Sequence, residues 1–105
     1  MKELILKDVH FGKDLIDVFE TRYPNGSICL NATYFDPELG SELPFATFTL
    51  NLPVELENDE VAIKSYSEGV EYLPWLFSWD IVGHPVKVVI GDHNIQIPIC
   101  KYLIK

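Results

Sequence analysis

The sequence predicts an α+β protein: a largely antiparallel, twisted sheet of six or seven strands with one short helix packed on it. Three observations carry that expectation. Apolar and polar residues alternate with period two along most of the 105-residue chain, the pattern of half-buried strands. The stretches between them are short enough for hairpins. Only the segment around Trp75 and Trp79 abandons alternation for helical spacing.

Residues 2–9 read as a first strand and residues 15–23 as a second. Pro24-Asn25-Gly26 is a strong turn signal, because Asn and Gly tolerate positive φ. Residues 27–35 then return, with Ile28, Leu30, Ala32 and Tyr34 on one face and Cys29, Asn31 and Thr33 on the other. Residues 36–43, with Pro37 and Gly40, read as a loop. The clearest alternation runs over residues 45–52, with Ala46, Phe48, Leu50 and Leu52 opposite Thr47, Thr49 and Asn51. It suits a sheet with one face on a core and the other toward water or a ligand.

Pro53 closes that strand, residues 54–60 form an acidic connection, and residues 61–66 make another short strand. A helix is expected over residues 74–82, opened by Pro74 and stopped by Gly83, with Pro85 just beyond. Residues 86–90 and 94–102 close the chain as a hairpin around Gly91-Asp92-His93. Pro98 cannot donate to a ladder, which places the last strand at an edge or at a bulge.

Length and composition point to a single domain over residues 1–105. With 48% hydrophobic and 12% aromatic residues, the chain can bury a core that offsets its ordering entropy. No secretory pattern opens it, and no apolar run approaches the roughly 18 residues of a membrane span, so the expectation is a cytoplasmic protein. Cys29 and Cys100 are then reduced thiols.

Charge is the most lopsided property. Residues 36–71 hold nine acids and one base, Lys64, and carry the whole net charge of −8. The remaining residues balance seven acids against seven bases. Such a balance opposes phosphate-mediated nucleic-acid binding and an anionic membrane, and favours a basic protein partner.

No catalytic, cofactor or metal site emerges. Cys29, Cys100, His10, His84 and His93 show no paired-ligand spacing. The run from Asp36 to Glu42 lacks both the third oxygen ligand before its glycine and the bidentate glutamate after it that a calcium loop needs. No nucleophile motif is present. Glu71 and Asp80 flank the aromatic segment, but their residue types and places suit helix ends as well as acid–base work.

Two features are candidate partner-binding surfaces. In an extended stretch Glu55, Glu57 and Asp59 make a row of like charges, with Glu60 beside it, a sparse imitation of a phosphate backbone; a solvated, solubilising loop has the same composition. On a helix, Leu73, Leu76, Phe77 and Ile81 share one face, while Trp75, Trp79 and Val82 share its neighbour. Two apolar stripes mean either an embedded helix or a patch offered to a partner, for which tryptophan is a favoured anchor.

Residues 44–52 (PFATFTLNL), 61–67 (VAIKSYS), Gly83 and 97–100 (IPIC) resemble an uncharacterised family of small proteins from Firmicutes, their phages and conjugative elements. The resemblance spans residues 27–102 and brings no activity or catalytic residues. Its context implies an accessory protein of the anti-CRISPR or anti-restriction type. Such a protein is not an enzyme. It binds and inhibits a nucleic-acid-processing complex such as a CRISPR effector, as a monomer or homodimer. Two alternatives stay open: a ligand-binding module or small enzyme using Asn31, Thr33, Thr47, Thr49 and Asn51, and a structural homodimer joined through the Trp-bearing helix.

Overall fold

A computed structural model describes residues 2–104. Its seven strands pair antiparallel throughout and are accompanied by one short α-helix. This is the α+β architecture the alternation predicts. The strands divide between two sheets, and the chain forms two compact units that meet between Phe48 and Thr49.

The first unit is a four-stranded meander, β1 (Glu3–Phe11), β2 (Asp14–Arg22), β3 (Ile28–Asp36) and β4 (Ser41–Thr47), in sequential order. The β2–β3 turn falls where Asn25-Gly26 places it. Gly26 takes φ 89°, its N–H donates to the Tyr23 carbonyl at 2.8 Å, and Asn25 Oδ1 accepts from the Ser27 N–H at 3.1 Å. Ile16, Val18, Ile28, Leu30 and Ala32 are buried on one face of the sheet. Thr21, Asn31, Thr33 and Asp17 share the other, since Asp17 registers with Thr33 and Phe19 with Asn31.

The third turn is tighter than expected, and β4 starts at Ser41 instead of residue 45. Asp36 causes this. Its Oδ1 accepts the Glu38 N–H at 2.9 Å and its carbonyl accepts the Gly40 N–H at 2.8 Å, so four residues close the loop.

The expected strand over residues 45–52 is the segment that leaves one unit and enters the other. Phe48 donates its N–H to Leu30 in the first unit at 2.8 Å. Thr49 then bridges Ile63, and Leu50 donates to Ala62 at 2.9 Å, both in the second.

The second unit holds β5 (Glu60–Ala62), α1 (Tyr72–Ser78), β6 (Val82–Ile90) and β7 (Gln96–Tyr102), with strand order β5-β7-β6. The last strand therefore lies at the centre, not at an edge. Pro98 is tolerated there because its carbonyl faces the β5 side, where it accepts the Ile63 N–H at 3.1 Å just past the end of that short strand. Ala62, Ile97 and Ile99 form a small core on which Leu50, Leu52, Leu56, Val89 and Ile95 pack.

The helix runs Tyr72–Ser78, starting two residues before Pro74 and ending well before Gly83. Asp80 ends it by adopting φ 59°. The Asp80 N–H then donates to Phe77 and the Ile81 N–H to Leu76, both at 3.1 Å, which is a Schellman closure with aspartate in place of glycine. Gly83, freed from that role, lies within β6. Gly69 has a different necessity: a Cβ there would lie 2.6 Å from the Lys64 carbonyl oxygen. Among the described residues no helix is long and apolar enough to cross a membrane.

Both thiols are free and buried, and burial pushes Cys100 up to about 11. Neither should react with a maleimide in the native protein, and both should react once it is unfolded. Rapid native labelling of Cys100, read by mass spectrometry, would contradict its placement.

Candidate interaction surface

The acidic loop is held at two points. Leu56 packs onto the Ala62, Ile97 and Ile99 core. Its neighbours Glu55 and Glu57 are thereby turned to solvent. Four residues on, Glu60 begins β5 and is only 5% exposed. Its carboxylate accepts the Glu57 N–H at 3.0 Å and faces the Lys87 ammonium at 3.3 Å. The Glu57 N–H, with Lys87 and Lys101 in support and against the cost of burial, holds Glu60 below the usual glutamate value. Asp59 is exposed, but both its oxygens receive Lys101 Nζ at 3.1 Å, and that contact raises the Lys101 pKa.

The four acids thus have different roles. Glu60 is an internal ion-pair member that ties the loop to β6. Asp59 is neutralised in part by β7. Glu55 and Glu57 make no direct ion pair among the described residues, although the Glu57 charge is felt by Lys101. The division was not legible in the sequence, because Lys87 and Lys101 come to the loop only through the β5-β7-β6 order. Other acids of the segment lie apart from it. Glu68 pairs with Lys64, which draws Glu68 down to about 2. Glu71 is exposed at the start of α1. Asp36, Glu38 and Glu42 belong to the first unit. Each unit holds eight acids and four bases, net −4, so the two carry equal net charge although the acidic segment runs mostly through the second.

Trp75 and Trp79 are half-buried and pack on each other, with ring centroids 5.8 Å apart. They are neither core nor fully presented. Leu76 and Tyr72 supply the buried side of the helix, while Phe77, expected on the same stripe as Leu76, is 42% exposed and rests against His84 at 4.6 Å.

Of the polar face proposed for a ligand, Asn31, Thr33 and Thr47 do come together on the first sheet. They line a shallow hollow of about 360 Å³ with Lys2 and Pro44. Thr33 also borders a second hollow of about 480 Å³ with Lys7, Asp17 and Glu42. Thr49 and Asn51 are not part of this face, since they belong to the second unit, where Thr49 is buried. Asp17 was not singled out from sequence. It is 7% exposed and satisfied: Oδ1 accepts the Asp8 N–H at 2.8 Å and Oδ2 faces Lys7 at 3.5 Å. Burial works against its ionisation, but those contacts outweigh it and hold the pKa below the usual aspartate value. Thr33 Oγ1 donates to Glu42 at 2.6 Å. Among the described residues no group of three or more His, Cys, Asp and Glu is placed to hold a metal ion.

No family model matches the chain, and neither curated proteins nor solved structures contain a match to it.

Proposed function

We propose that this chain is a non-enzymatic accessory protein of a phage or mobile element, acting in the cytoplasm of a bacterial host. It docks on a basic surface of a nucleic-acid-processing defence complex, of the CRISPR-effector or restriction type, and inhibits it. The observation that carries this reading is the pair Glu55 and Glu57. They are exposed and, among the described residues, make no direct ion pair, on a loop pinned by Leu56 and Glu60. A pinned loop presents its charges without paying for ordering them on contact. Trp75 and Trp79, half-buried on the same unit, supply apolar area for a partner.

The test is affinity capture from a bacterial lysate at low and high salt, with the double variant Glu55→Lys/Glu57→Lys as comparison. A basic nucleic-acid enzyme should be retained at low salt and lost at high salt. The variant should slow association by about tenfold or more at low salt. Equal capture by the variant would sink the acidic-surface reading.

A second reading rests on the hollows around Asn31, Thr33 and Thr47, which suit a small polar ligand on the first sheet. It requires saturable shifts of these residues in NMR titrations with small polyols or amides, suppressed in Thr33→Val.

A further inference from the structure

β6 ends the order β5-β7-β6, so one of its sides faces no strand of its own sheet. The direction of its backbone groups follows from two hydrogen bonds. The Gly91 N–H donates inward to Ile95 at 2.8 Å, and the Pro98 carbonyl, registered with Val88, is turned away toward Ile63. In an antiparallel ladder these groups alternate in direction. Lys87 and Val89 therefore bond to β7, while the N–H and C=O of Val88 and Ile90 point outward along the open edge. The side chains around them are apolar and uncovered, with Val86 and Val88 each 51% exposed and Ile90 58%.

The chemistry of this edge narrows what pairs with it. No acid lies between Val82 and Ile90, in a chain with sixteen. A basic partner finds no carboxylate there. The one ammonium, Lys87, is already paired with Glu60 at 3.3 Å, so it offers an acidic partner little net charge. What matches a neutral, apolar, extended strand is another like it.

We infer that β6 is a self-association edge, on which a second copy of this chain adds antiparallel about a two-fold axis at Val88. Such a contact is isologous. Val88 meets Val88 and exchanges both backbone bonds, Ile90 lies toward the Val86 end of the other copy, and the two sheets become one of six strands. The same direction runs the His84 end of each strand toward the Asp92 end of the other. Pro85 and the bulges between Val82 and Lys87 shorten the straight part of the edge, so the pairing is reversible and not obligate.

This proposal is independent of the acidic loop and has the opposite salt dependence. Two copies of a chain with net charge −8 repel, so added salt should tighten their association, whereas it weakens capture of a basic partner. Sedimentation equilibrium of the full chain, across concentration at low and high salt, is the test. The wild type should pass from monomer to dimer with rising concentration, and at lower concentration in high salt. Val88→Pro removes an outward N–H that no ladder bond uses. Val88→Glu sets two charges at the axis. Each should weaken dimerisation by about a hundredfold or more, with circular dichroism unchanged. Ile90→Glu serves as a further variant should either fail to fold. A wild type that stays monomeric at every concentration and salt overturns the inference, as does a folded variant that dimerises like wild type.

Discussion

Replacing Phe48 with alanine should destabilise the protein by about 3–5 kcal/mol, the largest loss expected of any single truncation. Phe48 has no exposed surface, stacks on Phe11 with centroids 6.2 Å apart, and is the largest of the fully buried side chains. Phe11 in turn meets Phe45 edge-on at 5.6 Å, so the cavity left by alanine would be walled by rings that already have partners and can collapse into it only in part. The residue is also the last of the first unit, anchored there by its N–H on Leu30. Urea unfolding of Phe48→Ala against wild type measures the loss. A loss below about 1 kcal/mol would mean that the site relaxes freely, contrary to the burial described.

Glu60→Ala should cost about 2–3 kcal/mol at neutral pH. The cost stays below that of breaking a fully buried pair because the Lys87 side chain is 48% exposed and keeps much of its hydration. Two groups lose a partner at once, the Glu57 N–H and the Lys87 ammonium. The effect should carry a pH signature. Glu60 is held below its ordinary value of 4.5 in the folded state. A carboxyl so depressed binds more protons unfolded than folded in the interval between the two pKa values. Its contribution is complete above 4.5 and is lost as pH falls through the lower, folded value. The gap between wild type and Glu60→Gln should therefore be constant near neutrality and narrow as pH falls below 4.5 toward the folded value. A gap that widens as pH falls would reverse the assignment.

Local rules were sufficient for much of the fold. Asn25-Gly26 marked its hairpin, with Gly26 taking the positive φ, and alternation placed Ile28, Leu30 and Ala32 on the buried face, whereas Tyr34 of the same parity is exposed and Cys29 of the other is buried. The failures came where an equivalent local device wears a different residue. Asp80 closes the helix in a conformation usually read from glycine, so Gly83 drew the boundary too far along. Asp36 shortens a loop by capping it, which no periodicity reveals. Residues 45–52 alternate without interruption, yet the strand changes partner between Phe48 and Thr49. Period-two patterning encodes faces, not neighbours. For the same reason the candidate acids were legible as a cluster while their division was not. Glu60 differs from Glu55 and Glu57 by its burial, by the Glu57 N–H it accepts, and by Lys87 on a strand far along the chain.

Placing β7 between β5 and β6 has a kinetic side. In the first unit every pairing joins consecutive strands across a short turn, so its ladder can zip from any hairpin. In the second, β5 and β6 do not pair with each other, and β5 joins the sheet only by pairing with β7, Glu60 with Lys101 through Ala62 with Ile99, across most of the unit's length. Closing so long a loop precedes any reward from the contacts it makes. The β6–β7 hairpin can form early, but the segment that bears Glu55 and Glu57 is not fixed until β5 finds β7. The candidate binding loop is thus tied to the slow step of its unit, and a nascent or partly folded chain would carry its acids without yet displaying them in place.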